Sequence, residues 1–200
     1  GLILSLTTIT VCLVRWKLDR IALATLAHDI VAPEAEPSTA MREVLDFMKS
    51  EVGRERGDAY FMLPALSFLR PTARQIIEGS GGDCAYRARA YIVLLDELGV
   101  SASKLAVYDE SGNPVHAVVR VDTERGPYIV DVLFDFIHED EYENPIPVSE
   151  LASEETLRSS IGYAVRNGNH RAKQYPLDEY PLNHLRTINW NKNALLQTIY

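Results

Sequence analysis

Cysteine, tryptophan and methionine are all scarce in this 200-residue chain, at two, two and three copies. Two cysteines cannot build a disulfide framework, so a packed core must hold the fold. Basic charge is short as well. Twenty Lys and Arg stand against 28 Asp and Glu, for a net charge of −8, and no basic run occurs. Binding to a phosphate backbone draws on clustered cations, so nucleic acid is not an expected partner. No long hydrophobic run is present either: the apolar stretch from Gly1 to Val14 falls short of the roughly 20 residues of a spanning helix. Metal-ligand spacing is missing too. Cys84, His138, His170 and the acidic run at 139–143 match no known ligand pattern, so the reading calls for no metal and no cofactor.

The composition is otherwise ordinary, with 46% hydrophobic and 24% charged residues, and it describes a globular chain. It divides into an N-terminal apolar segment and helix over 1–36 and a main domain over 37–200. The first 14 residues suit a packed strand, being rich in Thr, Val and Ile, or the remnant of a membrane anchor. In the second case Arg15, Lys17 and Arg20 would keep the domain cytoplasmic, so the expected location is the cytoplasm or a membrane surface.

Helical spacing of apolar residues predicts helices over 18–31, from Ser38 or Thr39 to about Val52, from Pro71 to Glu78, and from Cys84 to Leu98. The last of these is expected to bury Ala85, Ala88, Ile92, Leu95 and Leu98 and to end at Gly99. Strands are predicted over 103–108, 115–121 and 128–134, separated by the turns 109–114 and 122–127. Hairpin spacing makes them an antiparallel meander. A further helix is expected over 148–158. The tyrosine-rich stretch from 165 onward reads as packing.

The two cysteines lie in contrasting settings. Cys12 sits in the apolar run, whereas Cys84 follows Gly79-Ser80-Gly81-Gly82-Asp83 and opens a helix. Only the thiolate is a good nucleophile, and an ordinary cysteine with a pKa near 8.5 is mostly protonated at neutral pH. A helix start and a neighbouring imidazolium both favour the charged form. Of the five histidines, at 28, 116, 138, 170 and 184, only His116 falls within the predicted meander, a polar misfit among Val115, Ala117, Val118 and Val119. The next strand has its own misfit, Asp131 between Val130 and Val132, with Asp122 and Asp135 as rivals. If Val121 pairs with Gly126, His116 lies directly opposite Asp131 and on the same face.

A cysteine at a helix start, followed by histidine and aspartate on adjacent strands, resembles the transglutaminase-like superfamily, whose fold is papain-like. The resemblance rests on Gly82-Asp83-Cys84 with Ala88, on Leu94-Leu95-Asp-Glu-Leu-Gly99-Val-Ser-Ala102, on Val115-His116-Ala117-Val118-Val119, and on Tyr128-Ile-Val-Asp131. It spans about residues 70–136. Ala117, Val118 and Val132 stand where the family often has other residue types, which leaves the substrate class open. The resemblance implies an α+β domain with the nucleophile helix packed on an antiparallel sheet, and a Cys84–His116–Asp131 triad. Gln75 is the candidate side chain to help the Cys84 amide hold an oxyanion. The implied activity is acyl transfer from a peptide or protein substrate through a thioester. Hydrolysis is favoured over crosslinking to an amine, and a non-catalytic binding relative is the rival.

Overall fold

The computed structural model describes residues 2–53, 71–79, 81–177, 179–180, 182 and 185–187, with the backbone alone described at 2–12, 15 and 187. The fold is α+β. Its centre is a five-stranded antiparallel sheet in the order β4-β3-β2-β1-β5, built from β1 (Ala102–Tyr108), β2 (Pro114–Thr123), β3 (Gly126–Asp131), β4 (Phe136–His138) and β5 (Leu185–Thr187). The first four strands form a meander, one more than the sequence predicts, and β5 closes the other edge against β1.

Helices cover both faces. On one side α1 (Leu2–Ile30), α2 (Pro37–Ser50) and α4 (Cys84–Glu97) bury Leu23, Ala27, Met41, Val44 and Leu94 against Val119, Val121, Tyr128 and Val130. On the other side α6 (Glu154–Arg166) and the segment around Tyr175 cover Leu105, Val107, Val118, Ile129 and Phe136. The strands thus alternate between two cores rather than between core and water, which is why β2 and β3 read as nearly continuous apolar runs.

Several boundaries differ from the sequence reading. The predicted helix 18–31 is the second half of α1, a continuous helix from Leu2, so the Thr-rich start is helical rather than a strand. In α2 the first helical residue is Pro37, whose fixed φ suits that position, and neither Ser38 nor Thr39 is the cap. Ser38 instead uses its amide and hydroxyl on the Glu124 carboxylate. The short helix α3 (Ala73–Glu78) begins two residues after Pro71, at Ala73, with Thr72 as its cap. The helix expected over 148–158 is two: α5 (Val148–Leu151) and α6. The apolar stretch Tyr60–Leu69 lies outside the described residues.

Helix α4 ends as expected. Gly99 adopts φ +73°, its N–H reaches the Asp96 carbonyl at 3.0 Å, and the Val100 N–H reaches that of Leu95 at 2.9 Å, a Schellman cap. The buried face of α4 is rotated from the predicted one. Arg87, Ala88, Tyr91, Leu94 and Leu95 are buried, while Ala85, Ile92 and Leu98 are only half-buried. Arg87 can lie inside because its guanidinium donates to the carbonyls of Met48 (2.7 Å), Val52 (2.9 Å), Gly53 (3.0 Å) and Val132 (3.0 Å), and to Asp135 at 3.4 Å. Burial lowers its pKa to about 10, against the opposing pull of Asp131, so it stays charged at neutral pH. This one side chain ties the end of α2 to the loop that follows β3.

Candidate active site

The site forms because α4 and β1 have matched lengths. Fourteen helical residues at about 1.5 Å each rise about 21 Å, and seven strand residues at about 3.3 Å each rise about 23 Å. The chain reverses between them, so the first residue of α4 comes level with the end of β1. There Val107 pairs with His116 near the start of β2, and β3 ends alongside at Asp131. Cys84, His116 and Asp131 therefore meet at one end of the sheet.

Cys84 is the first residue of α4 and a half-buried free thiol. Asp83 caps the helix: its Oδ1 accepts the N–H groups of Ala85 at 3.0 Å and Tyr86 at 3.1 Å. Those bonds use two of the first-turn donors. The Cys84 amide has no partner among the described residues. Gly82 brings the chain in at φ +142°, where a Cβ would stand 2.9 Å from the Tyr86 ring. Both the backbone angle and the space exclude a larger residue there.

His116 is 3% exposed. Its Nε2 lies 2.6 Å from Oδ2 of Asp131, with both side chains fully buried. The other carboxylate oxygen accepts the N–H groups of Leu133 and Phe134, each at 3.0 Å, so Asp131 is fixed through both oxygens. Asp122 is on the surface with Arg120, and Asp135 belongs to Arg87; neither rival meets His116.

The hairpin register differs from the expected one. Thr123, not Val121, pairs with Gly126, and Val121 pairs with Tyr128. The connection is a two-residue turn over Glu124 and Arg125, in which the Thr123 hydroxyl donates to the Gly126 carbonyl at 2.8 Å and accepts the Arg125 N–H at 3.1 Å. Such short turns match strand twist better than a four-residue loop. The offset is two residues, an even number, so His116 and Asp131 remain on one face. They meet diagonally rather than head-on.

Burial by itself would lower the His116 pKa. The Asp131 charge and hydrogen bond oppose it, the Cys84 thiol adds a smaller upward pull, and the result is pushed up to about 10. The Asp131 carboxyl, which burial alone would raise, is held below its ordinary range by the same imidazole. With Nε2 on Asp131, Nδ1 is the ring nitrogen left for sulfur. It is buried without an aligned hydrogen-bond partner, which suits a site whose proton path tightens when substrate arrives.

Aromatic rings enclose the imidazole. Tyr180 stacks on it with centroids 4.5 Å apart and planes 7° from parallel, while Phe134 and Tyr175 meet it edge-on at 5.8 and 6.3 Å. Sequence reasoning did not connect these residues to His116, since Tyr175 and Tyr180 arrive from a distant segment. A second buried histidine, His138, lies on the same face. Burial pushes its pKa down to about 4, so it is neutral, with Nδ1 3.2 Å from the Ser160 hydroxyl.

Gln75 has a structural occupation. Its carboxamide oxygen accepts the Thr72 N–H at 2.9 Å while the Thr72 hydroxyl accepts the Gln75 N–H at 3.3 Å, a capping box on α3. Only its NH2 group is left for any other partner. His28 and His170 are exposed, and His184 lies outside the described residues, as does the side chain of Cys12. Among the described residues no group of three His, Cys, Asp or Glu has metal-holding geometry. A cavity of about 140 Å³ between α2, β4 and α6 is lined by Lys49, Asp135 and Tyr163; neither Cys84 nor His116 reaches it.

No protein-family model matches the chain, and no curated protein matches it in sequence. Among solved structures, a candidate protease from Parabacteroides distasonis aligns with 12% identity and a TM-score of 0.43, over 56% of this chain and 26% of that one. A likeness at that level sets neither a fold family nor an activity.

Proposed function

We propose that the chain is a thiol-dependent acyl-transfer enzyme of the papain/transglutaminase-like type, acting on the amide bond of a peptide or protein. The observation that carries this reading is the His116–Asp131 pair at 2.6 Å, buried, with the Cys84 thiol on the same imidazole.

The Asp131 carboxylate raises the His116 pKa against burial, so a charged imidazole stands beside the Cys84 sulfur. In the proposed reaction the Cys84 sulfur attacks the carbonyl carbon, a C–S bond forms, and negative charge moves to the carbonyl oxygen. The Cys84 amide, which has no partner among the described residues, is the candidate donor for that charge, and the start of α4 adds its dipole. Gln75 could contribute its NH2 there. The imidazolium of His116 then gives its proton to the leaving amine as the C–N bond breaks, leaving an acyl-thioester. Water attacks that thioester, His116 takes one of the water's protons, the C–S bond breaks, and the carboxylic acid leaves with the sulfur anion and the imidazolium restored side by side. Asp131 holds the ring orientation and stabilises its charge throughout. An amine in place of water would give a crosslink.

The test is alkylation of Cys84 by iodoacetamide as a function of pH. The enzyme reading expects fast labelling at neutral pH that falls about tenfold or more in His116→Ala, and turnover of an amide or ester substrate that falls by about 10⁴-fold in Cys84→Ala. Slow, ordinary thiol reactivity that ignores His116 would favour a non-catalytic peptide-binding protein instead. Incorporation of an amine into a glutamine peptide would favour crosslinking.

A further inference from the structure

We propose that the N-terminal half of α1 is a membrane-docking element that inserts into a lipid bilayer and holds the folded domain at its surface. The C-terminal half belongs to the domain. Leu23 and Ala27 are buried in the core with α2 and α4, Arg20 pairs with Glu97 at 2.7 Å, and Asp19 pairs with Arg74 at 3.4 Å. Above that level the apolar side chains lose their cover. Leu13, Val14, Trp16, Leu18 and Ile21 are between 43% and 57% exposed, while the helix continues unbroken to Leu2.

The occupant follows from the pattern. From Leu2 to Val14 there is no charged residue. Successive helical positions stand about 100° apart, so this uncharged run, with hydroxyls only at Ser5, Thr7, Thr8 and Thr10, puts no charge on any side of the helix. A single helical partner would cover one stripe of such a run, whereas hydrocarbon covers every side. The run ends in Arg15, Trp16, Lys17 and, one turn on, Arg20, with cations and an aromatic ring where headgroups would lie. Lys17 is exposed, and local positive charge favours anionic lipid even though the chain as a whole is acidic. No helix among the described residues is long and apolar enough to cross a membrane.

The test uses the full chain carrying Trp190→Phe, which leaves Trp16 as its one tryptophan, and vesicles of phosphatidylcholine with phosphatidylglycerol. The protein is expected to float with the vesicles. Trp16 emission is expected to shift to the blue and to be quenched by lipids brominated near the headgroup. Ile9→Asp is expected to lower the vesicle-bound fraction at least tenfold with an unchanged thermal melt. The proposal is overturned if the protein stays in the soluble fraction. It is also overturned if brominated lipid leaves Trp16 unquenched, or if Trp16 becomes shielded only through self-association at high protein concentration. The quenching measurement on the Trp190→Phe chain decides the matter even if Ile9→Asp fails to fold.

Discussion

The two faces of the sheet each bury ionisable side chains, and they treat them in opposite ways. On the face covered by α1, α2 and α4, Arg87 is fully enclosed, and every direction of its guanidinium meets a carbonyl or the Asp135 carboxylate. On the face covered by α6 and the Tyr175 segment, His116 and His138 are each bonded through one ring nitrogen and, among the described residues, lack an aligned hydrogen-bond partner at the other, Nδ1 and Nε2 respectively. Buried polar groups are nearly always satisfied, so those left open call for an explanation. Arg87 has no capacity left over and holds segments together. His116 keeps Nδ1 for the Cys84 thiol that acts on the same imidazole, as the proposed proton transfer requires.

That contrast can be broken by substitution. The largest stability loss is expected from Arg87→Ala, about 3–5 kcal/mol in denaturant unfolding, because it strands several buried carbonyls and the Asp135 carboxylate at once. A loss below about 1 kcal/mol would mean that water replaces the guanidinium and that the two faces are less different than argued.

Asp131→Asn sharpens the comparison through pH. The carboxylate is what holds His116 up to about 10 against burial. Without it burial acts alone, and the imidazole pKa should drop below its ordinary value of about 6.5. The alkaline limb of turnover, where the imidazolium must give up its proton, is therefore expected to move down by about three pH units or more. The stability contribution of the pair runs with the same signs. A raised imidazole stabilises fully below about pH 6.5 and loses its effect as pH rises toward 10. A depressed carboxyl stabilises above about pH 4 and loses its effect as pH falls through its folded value. The destabilisation by Asp131→Asn should therefore be greatest between about pH 4 and 6.5.

Gly82→Ala is expected to cost about 1–2 kcal/mol, from positive φ and the Tyr86 contact together, and to slow Cys84 labelling because the turn that presents the helix start must shift. Last comes Arg158→Ala on the surface of α6. Its pairing with Glu154 is exposed, so a change below about 0.5 kcal/mol is expected. A larger figure would show that enclosure is not what separates the buried groups from the surface ones.

Much of the site could be read before the structure because its residues break local rules. Cys84 follows a glycine-rich turn at a helix start, and His116 and Asp131 interrupt runs of valine. Pleat alternation preserved their common face even though the register was two residues from the one assumed, since the choice between a two- and a four-residue turn depends on how the flanking strands twist together. Arg87 was not legible in the same way. Its position on α4 looks solvent-facing until the end of α2 and the loop after β3 bring their carbonyls to it. The same holds for Tyr180, whose ring lies over His116 across 64 positions of sequence, and for the strand β5 at the far edge.

By itself, then, the sequence determined many of the elements: a helix start through Asp83, a helix stop through Gly99, strands through valine-rich runs, and the residue types able to support thiol chemistry. These depend on contacts within a few residues, where propensity and capping act. Only the tertiary structure decided which carboxylate meets the imidazole, which face of α4 turns inward, and which buried polar groups are satisfied. Those outcomes depend on partners far apart in the chain, and the cost of leaving a group unpaired is set once water has been excluded around it.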